Sequence, residues 1–215
     1  MKSFTKPEPP ADWPVQVVAK GTAWLAQGAN ASAERPRDYW TGKNKRFVRQ
    51  LAKGFGWLCG YTVMWSPSGT VDHYRPWSEL RGTPDALLAY DWSNLRYSCE
   101  WFNRDRKNIP VPDPFVVEDD WFELLLPSCE LVATSKVPPD EAPRVANALR
   151  WLGIHPSVVE ARQGYLEAYT SGDLSLTGLR KWAPLVATAL ERSPNLLRPA
   201  DRRRLQRAAH AGATP

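Results

Sequence analysis

The sequence predicts an α+β fold, because short extended segments stand between segments whose apolar residues recur at helical spacing. The extended segments, WLCGYTVMW and TVDHY, are rich in aromatic and β-branched residues and flank the turn-forming SPSG. With 215 residues, of which 43% are hydrophobic, the chain can bury a core, and global disorder is excluded.

Composition divides the chain into four predicted parts. Residues 1–41 carry five prolines and are expected to be irregular, and residues 42–115 are expected to form the functional core. Residues 116–197 predict a helical C-terminal region, and residues 198–215 predict a basic tail or a short helix.

Within the core, a basic helix is predicted from Asn44 to Phe55. Phe47, Leu51 and Phe55 fall on one face of this helix, and the basic residues lie off that face. The residues that follow, 57–74, predict a β-hairpin that turns at SPSG.

Three further helices are predicted in the C-terminal half, over residues 140–152, 156–169 and 176–191. Apolar residues recur there at three- and four-residue steps, and we place Arg162 at the rim of the apolar face of the second helix.

The charge and the cysteine content indicate which binding partners and which cellular compartment to expect. The net charge of +5 and the pI of about 9.2 give a mild bias toward phosphate-bearing partners. The N-terminus lacks the apolar core of a signal peptide, and the sequence contains no apolar run of membrane-spanning length. We therefore expect a cytoplasmic protein without a membrane segment, whose three separated cysteines are thiols.

The residues that suggest chemistry lie between positions 72 and 108. Asp72 and His73 follow the predicted turn, and such a pair, taken alone, is more often a surface polar pair than a catalytic one. Three motifs occur in order, however: D-H-Y-R-P, then A-Y-D-W-x-N-L, then C-x-x-x-N-R-x-x-x-N. Together they resemble the HNH endonuclease family with its ββα-metal core. The resemblance is nearest to the small bacterial HNH proteins of Septu-type and retron-associated phage-defence operons.

The resemblance implies a role for each of four residues. His73 would be the general base that deprotonates the attacking water, and Asn94 would hold the loop that bears His73. Asp72 and Asn103 would be the protein ligands of one divalent ion, Mg²⁺ or alternatively Mn²⁺, which suits oxygen ligands. The alternative for Asn103 is a purely structural residue that caps its helix or faces solvent.

Many relatives also carry two C-x-x-C knuckles that hold a structural zinc ion. Cys59 and Cys99 stand where the two knuckles would begin, but each has lost its second cysteine. Two thiolates seldom form a closed structural site, so we expect no zinc.

Basic residues near these motifs are candidates for contact with phosphate. Arg75, Arg104 and Lys107 lie close to the motifs, and Lys45, Arg46 and Arg49 lie on the upstream helix. The alternative for the upstream set is a solvated helix face.

The predicted function is therefore metal-dependent hydrolysis of phosphodiester bonds, with DNA as the expected nucleic acid. The resemblance implies antiviral defence against phage and an ABC-type ATPase as protein partner. Two alternatives stay open, a ribonuclease that acts on tRNA or another structured RNA, and a catalytically silent nucleic-acid-binding subunit.

Overall fold

The computed structural model describes residues 1–28 and 33–211 and confirms the α+β class. The chain divides into two compact units, Met1–Thr62 with Ser66–Glu118, and Val63–Trp65 with Asp119–Pro215. Each unit contains helices and one two-stranded antiparallel sheet. No helix in the described ranges is both long enough and apolar enough to cross a membrane.

The first unit contains the residues of the three motifs. Its helices and strands are, in chain order, α1 (Ala19–Leu25), α2 (Lys45–Gly54), β1 (Thr70–His73), α3 (Trp77–Leu80), β2 (Leu95–Ser98) and α4 (Glu100–Arg106). Two 3-10 segments, Pro84–Tyr90 and Trp92–Asn94, lead into β2. The two strands are antiparallel, with Asp72 opposite Arg96, and α4 packs against β1.

The predicted hairpin over residues 57–74 is wrong. Only its second half is a strand, β1, and that strand pairs with β2. The first half cannot stay extended because Trp57 and Val63 have φ angles of 60° and 57°. It contacts β2 instead, through the Gly60 amide, which donates to the Tyr97 carbonyl at 2.8 Å.

The predicted basic helix is confirmed as α2. Phe47, Leu51 and Phe55 are buried, as the spacing requires, and the helix gives way to a turn in which Gly56 has a φ of 61°. Trp13 packs edge-on against Phe47, with ring centroids 5.2 Å apart, so the N-terminal segment contributes to the same core.

The prediction that residues 1–41 are irregular is wrong over Pro14–Leu25. A π-helical turn, Pro14–Val18, continues there into α1. Pro14 is favoured in the first turn of a helix, and Val17 is buried. Gly21 lies against the ring of Tyr90, where a Cβ atom would come within 2.2 Å of that ring.

The second unit is predominantly helical. Its elements are β3 (Phe122–Leu125), β4 (Glu130–Ala133), α5 (Ala142–Leu152), α6 (Pro156–Ser171), α7 (Leu176–Trp182), α8 (Pro184–Glu191) and α9 (Pro199–Ala211). The first two predicted C-terminal helices are confirmed as α5 and α6. The third forms two helices, because the ring of Pro184 interrupts the helical hydrogen bonds.

The position predicted for Arg162, at the rim of its helix, is wrong. The residue is 1% exposed. Its guanidinium donates to the carbonyls of Leu152, at 2.6 Å, and Cys129, at 3.3 Å. Leu152 is the last residue of α5, so Arg162 satisfies a carbonyl that lacks a partner within that helix. Burial lowers the pKa of Arg162 to about 10.

Candidate active site

His73 lies at the end of β1, half-buried, with its ring against Trp40 at a centroid distance of 5.5 Å. Its Nε2 atom is 2.9 Å from the carbonyl oxygen of Ala89. Because a carbonyl only accepts hydrogen bonds, Nε2 carries the proton, and Nδ1 of the neutral ring keeps its lone pair. Within residues 1–28 and 33–211, no group hydrogen-bonds to Nδ1.

Burial lowers the pKa of His73 below its ordinary value of 6.5. The hydrogen bond to Ala89 and the negative charges of Asp72 and Asp38 oppose this effect without cancelling it. The imidazole is therefore neutral at pH 7, which is the state that a general base requires.

Asn94 closes the loop that follows His73. Its side-chain oxygen accepts from the Arg75 amide at 2.8 Å, and its side-chain nitrogen donates to the carbonyls of Arg75, at 3.1 Å, and Leu88, at 3.2 Å. These bonds join the residues after His73 to the segment Pro84–Tyr90, which contains Ala89, the partner of Nε2. Asn94 therefore has the geometry of a positioning residue.

Asp72 points into a buried polar cluster. Arg106 Nη2 donates to both carboxylate oxygens, at 2.6 and 2.7 Å, and the hydroxyl of Tyr61 donates to one of them. Burial, and then the charge of Asp72, raise the pKa of Tyr61 well above its ordinary value, so the phenol keeps its proton. The Tyr61 ring is stacked on Phe102, with centroids 4.7 Å apart, and this contact holds it in place.

Asn103 links α4 to β1 by a hydrogen bond. Its side-chain nitrogen donates to the carbonyl of Val71 at 3.0 Å, so the residue neither caps its helix nor points freely into solvent. Arg106 lies one helical turn further along α4 and therefore shares this face. The helix thus presents both an amide and a guanidinium to β1.

The residues as arranged do not fit a divalent ion. Both oxygens of Asp72 are already bonded to Arg106, and the side chain of Asp72 is 4% exposed. An ion bound by these oxygens would occupy the position of the guanidinium. Metal binding at Asp72 and Asn103 therefore requires Arg106 to move away from Asp72, and their role as ligands stays a prediction.

Three of the arginines predicted to contact phosphate are paired with carboxylates. Arg75 bonds with Asp85 at 3.0 Å and Arg104 with its neighbour Asp105 at 2.7 Å, both on the surface. Arg46 pairs with Asp12 and covers the ring of Phe47. Surface ion pairs of this kind contribute little to stability, and their arginines can exchange the carboxylate for another anion. The three arginines therefore remain candidates for contact with phosphate. Lys107 is exposed at the end of α4.

Lys45 and Arg49 line a groove of about 700 Å³ on the first unit. Lys53, from the same helix, lines it as well, and residues 67–70 form part of the lining. Trp40, whose ring packs on His73, is also part of this lining. The groove therefore lies beside the candidate base.

Cys59 and Cys99, the two cysteines at the predicted knuckle positions, are both buried free thiols. Burial disfavours the Cys59 thiolate, but the proximity of Cys99 and Thr62 outweighs this effect and lowers the pKa of Cys59 to about 6. The same proximity raises the pKa of Cys99 above its ordinary value. In the described part of the chain, no three His, Cys, Asp or Glu side chains converge.

We expect no stoichiometric zinc to accompany the purified protein, because two thiols leave half of a tetrahedral shell unfilled. Elemental analysis of the protein, with Cys129→Ser as control, tests this expectation. About one zinc per chain that is lost in Cys59→Ser and kept in Cys129→Ser would contradict it.

The sequence interpretation missed two residues of this site, Tyr61 and Arg106. The spacing between Asn103 and Arg106 offered a signal, since residues three apart share a helix face. Tyr61 offered none, because its contact with Asp72 depends on the tertiary structure.

Comparison of the chain with protein-family models, with curated proteins and with solved structures finds no match.

Proposed function

We propose that this protein is a metal-dependent endonuclease of the HNH type that hydrolyses phosphodiester bonds, with DNA as its expected substrate. The observation that carries the proposal is His73, a neutral histidine whose Nε2–H is held by a backbone carbonyl while no described group bonds to Nδ1. The motifs that resemble the HNH family support the same assignment, since they place His73, Asn94 and Asn103 in the family's order.

In the proposed reaction, Nδ1 of His73 takes a proton from water as the water oxygen attacks phosphorus. The phosphorus bond to the leaving oxygen breaks, and that oxygen takes up a proton from solvent. The Ala89 carbonyl holds Nε2–H throughout and favours the imidazolium that forms. A bound divalent ion would neutralise the charge that develops on the phosphate and the leaving oxygen.

The proposal places one condition on Arg106. Asp72 can bind an ion only after Arg106 leaves its two oxygens, so the ion pair between Asp72 and Arg106 would belong to the resting state of the enzyme. A phosphate of the bound nucleic acid is a suitable new partner for the released guanidinium, because arginine binds phosphate in bidentate fashion.

A second candidate function is a catalytically silent nucleic-acid-binding subunit. The bonding of Asp72 to Arg106 and Tyr61 favours it, since a carboxylate with permanent partners would never bind an ion. The resemblance also implies an ABC-type ATPase partner and a role in phage defence, and both remain part of the proposal.

A cleavage assay distinguishes these functions. The purified protein is incubated with plasmid DNA, total RNA and purified tRNA, each with Mg²⁺, with Mn²⁺ or with EDTA. Cutting of plasmid DNA that EDTA abolishes is the expected result. Cleavage of RNA alone would select the ribonuclease alternative, and binding without cleavage under every condition would select the silent subunit.

The pH dependence of cleavage follows from the lowered pKa of His73. The neutral, active form persists until the pH falls through this lowered value, so kcat/KM is expected to fall on acidification with a midpoint below pH 6.5. The measurement is the rate at fixed Mg²⁺ from pH 5 to 8. A midpoint at or above pH 6.5 would contradict the assignment of His73 as the base in this environment.

A further inference from the structure

Helix α2 presents a row of three exposed cations to the groove beside His73. Lys45, Arg49 and Lys53 are four residues apart, so they follow one side of the helix at steps of about 6 Å. Within the described ranges none of the three forms an ion pair, whereas Arg46 on the same helix bonds with Asp12. The described lining contains a single carboxylate, Asp38.

Trp57 contributes an aromatic surface to the same groove. Its indole is half-buried, and no described residue provides it with a ring or hydrogen-bond partner. Its backbone has a φ of 60°, which a bulky side chain rarely adopts. Two backbone bonds hold it there, from Trp57 N to the Ala52 carbonyl at 2.7 Å and from Ser66 N to the Trp57 carbonyl at 2.8 Å.

The strained backbone thus fixes the point from which an indole without a ring or hydrogen-bond partner among the described residues projects. Strain of this kind is often kept where a side chain must be held in place for function. The remaining lining includes Ser68 and Thr70, whose hydroxyls can bond with phosphate oxygens.

We propose that this groove binds a single strand of nucleic acid, with a base stacked on Trp57 and phosphates along Lys45, Arg49 and Lys53. The inference rests on the proposed function and specifies its substrate as single-stranded or locally unpaired. A duplex keeps its bases stacked on each other, so it cannot offer a base face to Trp57. An unpaired strand offers both base faces and phosphates.

The course of the groove connects this binding to cleavage. Trp40 belongs to the lining, and its ring packs on the ring of His73 at 5.5 Å. A strand that lies along α2 and reaches Trp40 therefore brings a phosphate toward the candidate base.

The experiment measures the binding of a fluorescently labelled 12-nucleotide dT strand by anisotropy, in EDTA so that no cleavage occurs. A 12-base-pair duplex is measured in parallel. We expect the dT strand to bind at least tenfold more tightly than the duplex. Duplex binding of equal or greater strength would overturn the proposal.

Trp57→Gly tests the stacking contact, since glycine accepts the positive φ and removes the ring. Its expected effect is a loss of affinity for dT of about tenfold or more, while Trp57→Tyr retains most of the affinity. Trp182→Leu, which removes a tryptophan outside the groove lining, serves as control. If a thermal melt shows that Trp57→Gly does not fold, Trp57→Ser is measured in its place. The expected result is then a loss of affinity for dT in Trp57→Ser and retained affinity in Trp57→Tyr.

The cations are tested by the triple variant Lys45→Ala, Arg49→Ala, Lys53→Ala. The slope of log affinity against log salt is expected to become shallower by about 2. A matched triple variant removes the same number of positive charges outside the groove lining, by Lys136→Ala, Arg150→Ala and Lys181→Ala. This variant should leave the slope near its original value. Equal effects of the two triples, or equally tight binding of a polyglutamate peptide, would overturn the proposal.

The outcomes separate this inference from the proposed function. Groove-dependent binding of dT without any cleavage in Mg²⁺ would contradict the nuclease and leave the inference standing. Cleavage that both sets of groove variants leave unchanged would contradict the inference and leave the nuclease standing.

Discussion

Arg106→Met is expected to lower the free energy of unfolding by about 3–5 kcal/mol, because it leaves the buried carboxylate of Asp72 without its cation. The side chains of the pair are only 2% and 4% exposed, so water cannot replace the lost bonds. Urea denaturation at pH 7 measures the change.

The matched control is Arg104→Met, on the same helix. Arg104 is 71% exposed and pairs with Asp105 on the surface, so its loss should change the stability by less than about 1 kcal/mol. The double variant Asp72→Asn, Arg106→Met should cost less than the sum of the single changes, because the two residues interact directly. Equal losses in Arg104→Met and Arg106→Met would show that the buried pair is not formed.

The same variant tests the predicted metal ligands without an activity assay. Removal of the guanidinium frees the two oxygens of Asp72, so millimolar Mg²⁺ or Mn²⁺ should raise the Tm of Arg106→Met if Asp72 and Asn103 are ligands. Addition of Asn103→Ala should reduce that rise. A Tm that does not respond to either ion would contradict the assignment of Asp72 and Asn103 as ligands.

His73→Ala is expected to reduce kcat by about two to four orders of magnitude while the fold and nucleic-acid binding persist. The ring is half-buried at a strand end, and its contacts are with Trp40 and the Ala89 carbonyl, so its removal leaves the core of the unit in place. Single-turnover cleavage measures the rate, and anisotropy in EDTA measures binding.

His155→Ala serves as the histidine control. That residue is the N-cap of α6 and is stacked on Trp151, with ring centroids 5.9 Å apart. Its replacement should leave the cleavage rate unchanged. A wild-type rate in His73→Ala would refute the assignment of the base.

The elements that the sequence predicted well are those with strong local signals. α2, α5 and α6 each combine apolar spacing with a clear end, and such helices are largely determined by their own residues. The hairpin failed because strand pairing is a tertiary property. From the sequence alone, β1 could pair with the segment that precedes it or with one that follows it. The positive φ angles of Trp57 and Val63 cannot be recognised in a run of residues that favour strands.

In the candidate site, too, the contacts that depend on the tertiary structure could not be predicted from the sequence. The motifs identified His73, Asn94 and Asn103, and each of them bonds to a backbone group near the end of β1. The motifs did not reveal the partners of Asp72, because the contact with Arg106 depends on how α4 lies against β1. A carboxylate in a motif gives no indication of which groups already bond to it.

The most direct test of the account is single-turnover cleavage by His73→Gly, with and without added imidazole. The account predicts little cleavage by the variant alone and a rise that saturates with imidazole, since the small base fills the space left by the side chain and takes the proton from water. The rescued rate should require the same divalent ion as the wild type. Cleavage by His73→Gly at the wild-type rate without imidazole would contradict the claim that His73 is the general base.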